Sequence, residues 1–253
     1  MKRGLGLAAV LAALASALPM RAVATPIFAE RYGFSCTQCH TAVPELNAFG
    51  EHFRRAGFRL PNVPQHKVVP IALRVQDVYN EDIEPTQPRR FNALAVGLST
   101  ANFGRDLDYS YFVRYFFGAQ TAPGSLYYAY VQHVTPANGD FVRVGLYQLP
   151  LVESATQRLD TITAQPVYTY TVGQSTANLA TPRWGASFGR RDDAEDIEFS
   201  VAFDEYHGAA YGAPAPPSSL AQSYGRPELF GSALFTVAPG LQAGVLGLNG
   251  KRD

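Results

Sequence analysis

Apolar and polar positions alternate with a period of two along most of this chain. From residue 68 onward, apolar residues are separated by small or polar ones, as in the run from Ile197 to Phe203. This spacing puts successive side chains on opposite faces of an extended chain, and it predicts roughly nine or ten β-strands joined mostly by tight hairpins. Turn signals such as Asn138-Gly139 and Pro239-Gly240 separate the runs. The predicted strands begin near Ile71, Leu94, Leu107, Leu126, Val142, Trp184, Ile197, Leu229 and Leu241.

Two longer connections interrupt the hairpins. Residues 149–182 include a further short strand at Val167–Val172, and residues 207–227 are rich in Ala, Pro, Ser and Gly without periodicity. Short turns that alternate with long loops are typical of outer-membrane β-barrels. An apolar sheet face points to the core of a soluble sandwich but to lipid in a membrane barrel, and the alternation by itself does not separate these two folds.

The first residues have the pattern of a secretory signal peptide. Basic residues precede an apolar run from Leu5 to Leu18, and Ala22-Val23-Ala24 is an A-x-A cleavage site. We therefore expect a signal peptide over residues 1–24 and an exported mature chain. No later run of 18 apolar residues occurs in the sequence, so no transmembrane helix is predicted.

The amino-acid composition agrees with a strand-rich protein and argues against a nucleic-acid partner. Charged residues make up 17% of the chain and aromatic residues 12%. The 21 basic and 21 acidic side chains give a formal net charge of zero. No general attraction to nucleic acid is therefore expected, and no nucleic-acid partner is predicted.

The stretch Cys36-Thr37-Gln38-Cys39-His40 contains both cysteines of the chain. C-x-x-C-H is the attachment signal of c-type haem: two thiols form thioethers with the two vinyl groups, and the following imidazole ligates the iron. A structural zinc site needs four ligands, and the sequence has no second cysteine pair. A thioredoxin-like pair needs a βαβ context, which the strand pattern does not provide. The motif predicts one covalent haem c held by Cys36, Cys39 and His40, with His40 as the proximal iron ligand.

A helical pattern follows this motif, with Pro44 and Glu45 suited to its first turn and Gly57 to its C-terminal stop. We hypothesise that its apolar face packs on the haem and that Gly50 allows close approach. An ordinary core face explains the spacing equally well. The positions on this face are Leu46, Phe49, Gly50, Phe53 and Gly57.

The second axial ligand of the iron is harder to predict. Both methionines, Met1 and Met20, fall in the signal segment, which leaves histidine as the candidate ligand. His66 ranks first because it lies in a Pro-rich loop that could fold back over the haem. His52 ranks second, since it points about 100° away from the apolar helix face and is expected to face solvent or a flank. An open or water-ligated position is the third alternative.

The stretch from Phe28 to Leu60 resembles the outer-membrane fused cytochrome–porin family, which includes iron(II)-oxidising outer-membrane cytochromes. The resemblance is carried by the haem motif and by the P-E-L-x-x-F-G stretch from Pro44 to Gly50. It implies a mono-haem N-terminal segment followed by a porin-like β-barrel. Some relatives carry a methionine in the first strand as a distal ligand, whereas Pro70–Val75 has none. The chain also ends without the usual terminal aromatic strand, and we expect a C-terminally truncated member.

These observations combine into one expectation for the fold. We expect a mainly β chain with a signal peptide at 1–24, a short α-helical mono-haem cytochrome c-like segment at 25–67, and an antiparallel, outer-membrane, porin-like β-barrel at 68–253, which is incomplete if the chain is truncated. The alternative location is the periplasm.

The expected function is electron transfer from an external donor, such as Fe(II), to a periplasmic cytochrome. A hydrocarbon core of about 30 Å is thicker than one haem, so a donor small enough to enter the barrel is favoured over a mineral. Whether this activity amounts to enzymatic iron(II) oxidation stays open. The alternatives are a soluble periplasmic β-rich cytochrome and a small porin with a structural haem.

Overall fold

The computed structural model describes most of the predicted haem segment and strands. The predicted signal peptide, Pro44 and most of the two long connections lie outside the described residues. Those residues are 26–42, 45–60, 63, 66–80, 90–104, 106–117, 125–135, 138–149, 169–172, 175–178, 182–192, 194–205, 227–238 and 241–249.

Residues 26–60, here called the N-terminal segment, contain short helices and one small ladder. The helices are α1 (Pro26–Tyr32), α2 (Cys36–Cys39) and α3 (Ala48–Arg55), and strand β1 (His40–Ala42) pairs antiparallel with β2 (Glu45–Leu46). The prediction that a helix begins near Pro44 was wrong. Residues 45–46 pair with β1 instead, and α3 starts only after them, so the helix is shorter at its N-terminus than expected.

The C-terminus of α3 was predicted correctly. Gly57 has a left-handed φ of 69°, its N–H donates to the carbonyl of Arg54 (3.2 Å), and the N–H of Phe58 donates to the carbonyl of Phe53 (3.0 Å). These two bonds form a Schellman motif, in which a residue without a Cβ adopts the left-handed conformation at little cost. The stop turns the chain toward the sheet, where Asn102 donates to the carbonyl of Gly57 (2.8 Å).

The main sheet has nine strands among the described residues, and all neighbouring pairs are antiparallel. Its order follows the chain from β3 to β7 and then from β10 to β13, while β8 and β9 form a separate hairpin. The prediction of a mainly β, antiparallel chain is confirmed. The strands are β3 (Ile71–Asn80), β4 (Arg90–Phe103), β5 (Tyr109–Phe117), β6 (Ser125–Val134), β7 (Asp140–Tyr147), β8 (Thr169–Val172), β9 (Ser175–Asn178), β10 (Arg183–Arg191), β11 (Glu195–Glu205), β12 (Glu228–Ala238) and β13 (Leu241–Asn249).

One face of the main sheet, here called the inner face, is polar and buried. Cross-strand partners in register place one row of side chains on this face, running over strands β5, β6, β7, β10 and β11. The N-terminal segment lies against part of this face, where Phe58 stacks on Phe112 (5.5 Å between ring centroids) and Arg31 donates to Asn102 (3.0 Å). The row consists of Ser110, Gln132, Arg143, Ser187 and Ser200, all of them buried.

The opposite face, here called the outer face, is apolar and exposed. Its side chains alternate with those of the inner face along each strand, so Val144 is 56% exposed while its neighbour Arg143 is 6% exposed. A soluble sandwich would bury this apolar face. The structure therefore shows which face of the alternating strands is buried and which is exposed, a choice that the sequence left open. Exposed members of the outer face include Ile71, Leu73, Val75, Val131, Val142, Val144, Trp184, Phe188, Phe199, Leu229, Phe235 and Val245.

Helices of membrane-spanning length and hydropathy are absent from the part of the chain that the structure describes.

Candidate functional site

The haem motif forms a single helical turn. Cys36 and Cys39 are the first and last residues of α2, and both are half-buried and form no disulfide. His40 follows in an extended conformation, and its backbone N–H donates to the carbonyl of Cys36. Burial, together with the neighbouring Cys36, raises the pKa of the Cys39 thiol, so this sulfur stays protonated near neutral pH. The motif thus presents two thiols and an imidazole from positions 36, 39 and 40 on one compact turn.

The imidazole of His40 is held in one tautomer. Its Nδ1 lies 3.1 Å from the backbone carbonyl oxygen of Glu45, which accepts but cannot donate a hydrogen bond. Nδ1 must therefore carry the hydrogen, and Nε2 is left with its lone pair. A ring N–H bound to a carbonyl is the usual support of a metal-ligating histidine. The β1–β2 ladder brings Glu45 into this position.

Asn47 ties the motif to α3, and sequence reasoning missed it. Its backbone N–H donates to Cys39 O (3.0 Å), and its side-chain amide donates to Thr37 O (3.2 Å) and Gln38 O (3.1 Å). Its side-chain oxygen accepts from the N–H of Gly50 (2.9 Å) as the N-cap of α3. Asn is a preferred N-cap residue, which is the signal that could have identified it. This one residue connects the turn at Cys36–Cys39, here called the haem turn, to α3.

Gly50 lies against the motif backbone. A Cβ built at this position would collide with the carbonyl oxygen of Cys39. The structure thus shows a close approach of α3 to the turn at Cys36–Cys39, while a close approach of Gly50 to a haem stays a prediction. The helix can touch the turn because the residue lacks a side chain. This contact positions α2 and α3 relative to each other.

A cavity of about 630 Å³ lies between the N-terminal segment and the inner face of the sheet. Its volume is in the range of about 300–1,000 Å³ that is typical of small-molecule and cofactor sites. The motif contributes one thiol and the imidazole to the wall, while arginine and tyrosine side chains of the strands line the other side. Representative lining residues are Cys39, His40, Phe53, Arg54, Tyr130 and Arg143.

The apolar wall of the cavity belongs to an aromatic cluster. Tyr32, Phe53 and Phe58 are buried in it, and Phe28 stacks on Phe58 at 5.1 Å between ring centroids. Phe53 also lines the cavity, so the α3 face serves both as core and as part of the site wall. Such a wall suits the flat apolar surface of a porphyrin, and the aromatic contacts add stability beyond area burial.

The polar wall contains buried charges. Arg191 forms a close ion pair with Glu198 and a second pair with Asp196 (3.2 Å), and the guanidinium of Arg143 lies 3.7 Å from Glu198. These residues are separated by up to 55 positions in the sequence, and their proximity follows from the strand order. Sequence reasoning missed Arg143 and Glu198. The signal at Arg143 is a charge at an inner-face strand position whose neighbours at i±2, Phe141 and Gly145, are aromatic and small.

The candidate distal ligands lie away from this cavity. His52 is exposed on α3, in agreement with the predicted orientation, and His66 is exposed, with its backbone N–H bound to Arg31 O (2.7 Å). Neither residue lines the cavity that includes His40. The assignment of His66 or His52 as the second axial ligand stays a prediction. His133, near the end of β6, is bound to Asp108 (2.8 Å).

No family model, curated protein or solved structure matches this chain. The evidence for the site is therefore its own geometry. The Cys39 thiol and the oriented imidazole of His40 line a cavity with an aromatic wall and an arginine-rich wall, and Cys36 begins the same helical turn. This set of donors fits a haem c.

Proposed function

We propose that this chain is a c-type mono-haem electron-transfer protein of the outer membrane, and that it is a member of the fused cytochrome–porin family. The observation that carries the proposal is the cavity that joins Cys39 and His40 to the buried inner face of the sheet. A cofactor held there is enclosed by the aromatic cluster on one side and by polar strand residues on the other.

Each residue of the motif has a chemical role in this proposal. The thiols of Cys36 and Cys39 would form the thioether links, and Nε2 of His40 would ligate the iron. When bound, haem c supplies a reversible one-electron couple. Asn47 and the carbonyl of Glu45 keep the turn and the imidazole in place, so attachment does not have to order them.

The proposed membrane location rests on the outer face of the sheet. In a transmembrane β-barrel, apolar residues face lipid and polar residues face the interior. Val142, Val144, Trp184 and Phe188 are exposed on the outer face, and a continuous apolar surface of this kind in water would cause aggregation. In the proposed barrel, the N-terminal segment lies inside and covers the polar face.

A single haem cannot connect the two sides of a hydrocarbon core that is about 30 Å thick. The donor must therefore enter the barrel, which favours a small ion such as Fe(II). A periplasmic cytochrome would then accept the electron from the other side. The aromatic and arginine residues of the cavity limit access of water to the haem.

Mass spectrometry and fractionation test the proposal directly. We expect the mass of one haem to be covalently added to the mature chain in the outer-membrane fraction, and the Cys36→Ala/Cys39→Ala double variant to carry none. The haem of the purified protein should become reduced when Fe(II) is added. A native chain without added haem mass would refute the proposal.

Two outcomes would favour the alternative functions. Haem-loaded protein in the soluble periplasmic fraction would indicate a soluble β-rich cytochrome, which is the function that the exposed outer face disfavours. Conductance in planar bilayers with a haem that stays oxidised in Fe(II) would indicate a porin with a structural haem.

A further inference from the structure

Arg143 is an arginine buried within the sheet that also faces the cavity. It lies on the inner face of β7, is 6% exposed and lines the same cavity as Cys39 and His40. Its guanidinium lies over the rings of Tyr147 (5.1 Å) and Tyr130 (5.2 Å). The aromatic faces hold it in position and exclude water from it.

The charge of Arg143 is poorly neutralised. Its carboxylate neighbour among the described residues is Glu198, at 3.7 Å, and Glu198 is bound more closely by Arg191. The Nε of Arg143 is buried and has no hydrogen-bond partner in the part of the chain that the structure describes. An unsatisfied donor on a buried charge costs more than a neutral one, so a ligand for this group is expected.

The surrounding ion network also has an excess of positive charge. Among the described residues, four guanidiniums share three carboxylates in one connected cluster, so the cluster has one positive charge in excess. At its buried end, which Arg143, Arg191 and Glu198 form, an excess positive charge is unfavourable unless an anion compensates it. The cluster consists of Arg54, Arg55, Arg143 and Arg191 with Glu51, Asp196 and Glu198.

We propose that Arg143 is a carboxylate-binding residue that holds a propionate group of the haem. This inference rests on the proposed function. A guanidinium binds a carboxylate through two parallel N–H···O bonds, and the unused Nε of Arg143 is one of the required donors. Arg54 also lines the cavity, but its Nε and Nη2 both donate to Glu51 (3.1 and 2.7 Å). Arg114 lines it as well and is only half-buried.

The variant Arg143→Gln tests this assignment in the full-length, haem-loaded protein. We expect the propionate bending band in the resonance Raman spectrum to shift. We also expect the ratio of reduced to oxidised haem at a fixed poised potential to fall roughly fivefold, because a nearby positive charge favours the reduced iron. The matched control is Arg190→Gln, which removes an exposed guanidinium from the outer surface of a neighbouring strand and should change neither signal.

The variant Arg143→Lys covers the case in which Arg143→Gln does not fold. Lysine keeps the charge but not the forked donor, so the Raman band should shift while the reduced-to-oxidised ratio stays near that of the native protein. An unchanged Raman band in Arg143→Lys, or in a folded Arg143→Gln, would overturn the assignment. Absence of covalent haem from the native protein would instead refute the proposed function, so the two failures are distinguishable.

Discussion

The N-terminal segment and the main sheet bury opposite kinds of side chain. In the segment, Tyr32, Phe53 and Phe58 are buried, as in the core of a soluble protein. In the sheet, charged residues such as Arg143 and Glu198 are buried, while the apolar outer face is exposed. The two regions meet at the cavity, where the aromatic cluster forms one wall and the buried charges form the other. One chain thus combines an apolar core in the N-terminal segment with a sheet whose polar face is buried and whose apolar face is exposed.

The two regions are therefore stabilised by different kinds of interaction. The segment is stabilised by burial of apolar area, which is not directional. The inner face depends on ion pairs and hydrogen bonds, which stabilise only when each buried charge has a partner. We therefore expect the largest effects of substitution where a buried charge loses its partner.

The substitution Glu198→Gln should have the largest effect on stability. It removes the carboxylate that Arg143 and Arg191 share, and loss of one partner of a buried pair costs about 3–5 kcal/mol. Urea unfolding in detergent micelles measures the change. The control is Glu195→Gln on the same strand, where a partly exposed pair with Arg190 (3.5 Å) should contribute less than about 1 kcal/mol. Equal losses in the two variants would contradict a buried, charge-stabilised inner face.

The substitution Val144→Arg tests the outer face. If this face contacts lipid, an arginine near the bilayer midplane should lower the free energy of unfolding from liposomes by about 2–4 kcal/mol. Val69→Arg is the control, because Val69 is exposed but lies outside the strands. If both variants unfolded like the native protein, the outer face would be in water, and the contrast between the two regions would lose its explanation.

The substitution Asn47→Ala tests the N-terminal segment. Loss of the N-cap and of the bonds to the haem turn should cost about 2 kcal/mol in total. Asn47→Asp keeps the capping oxygen but loses the amide donor, so it should cost about half as much. Hydrogen exchange of the α3 amides and the fraction of chain that carries haem are the measurements. Identical behaviour of the Ala and Asp variants would show that the N-cap contributes nothing, and an Asp variant that behaves like the native protein would show that the bonds to Thr37 and Gln38 contribute nothing.

The smallest expected effect is a pH dependence at the turn between β10 and β11. The N–H groups of Glu195 and Ala194 donate to Asp192 and hold the pKa of its carboxyl below the ordinary value of 3.8. Because the folded pKa is depressed, this contribution is fully present above the unfolded pKa. It is lost as the pH falls through the folded value. Asp192→Asn should therefore lose slightly less stability than the native protein between pH 5 and pH 2. An unchanged acid dependence of the urea midpoint would exclude this contribution.

Features of the chain were predicted correctly where their causes lie within a few residues along the sequence. The stop at Gly57 was predicted because the Schellman bonds join residues no more than five positions apart. The start of α3 was not predicted, because pairing of Glu45 and Leu46 with β1 competes with the helix. The strand from Ile71 was predicted from its alternation, whereas Leu107 has a φ of 55° and lies in the turn before β5.

In the candidate site too, local features were predictable from the sequence and long-range contacts were not. The haem motif was visible in the sequence because its thiols and imidazole lie within five consecutive residues. The partners of Arg143 were not visible, since Glu198 reaches it across β10 from a position 55 residues later. Arg190 and Arg191 are adjacent in a charged stretch of the sequence, but they lie on opposite faces of the sheet. Arg190 is exposed, while Arg191 continues the strand alternation and is buried on the inner face.

The sequence by itself determined that the chain forms antiparallel strands and that its two thiols and one imidazole meet on a single turn. Both follow from spacing along the backbone, with periods of two residues in a strand and about four in a helix. Only the tertiary structure decided which sheet face is buried, because a period of two is identical for a sheet that is apolar inside and one that is apolar outside. Packing of the N-terminal segment on the polar face breaks that symmetry. It also brings the haem turn to the buried arginines.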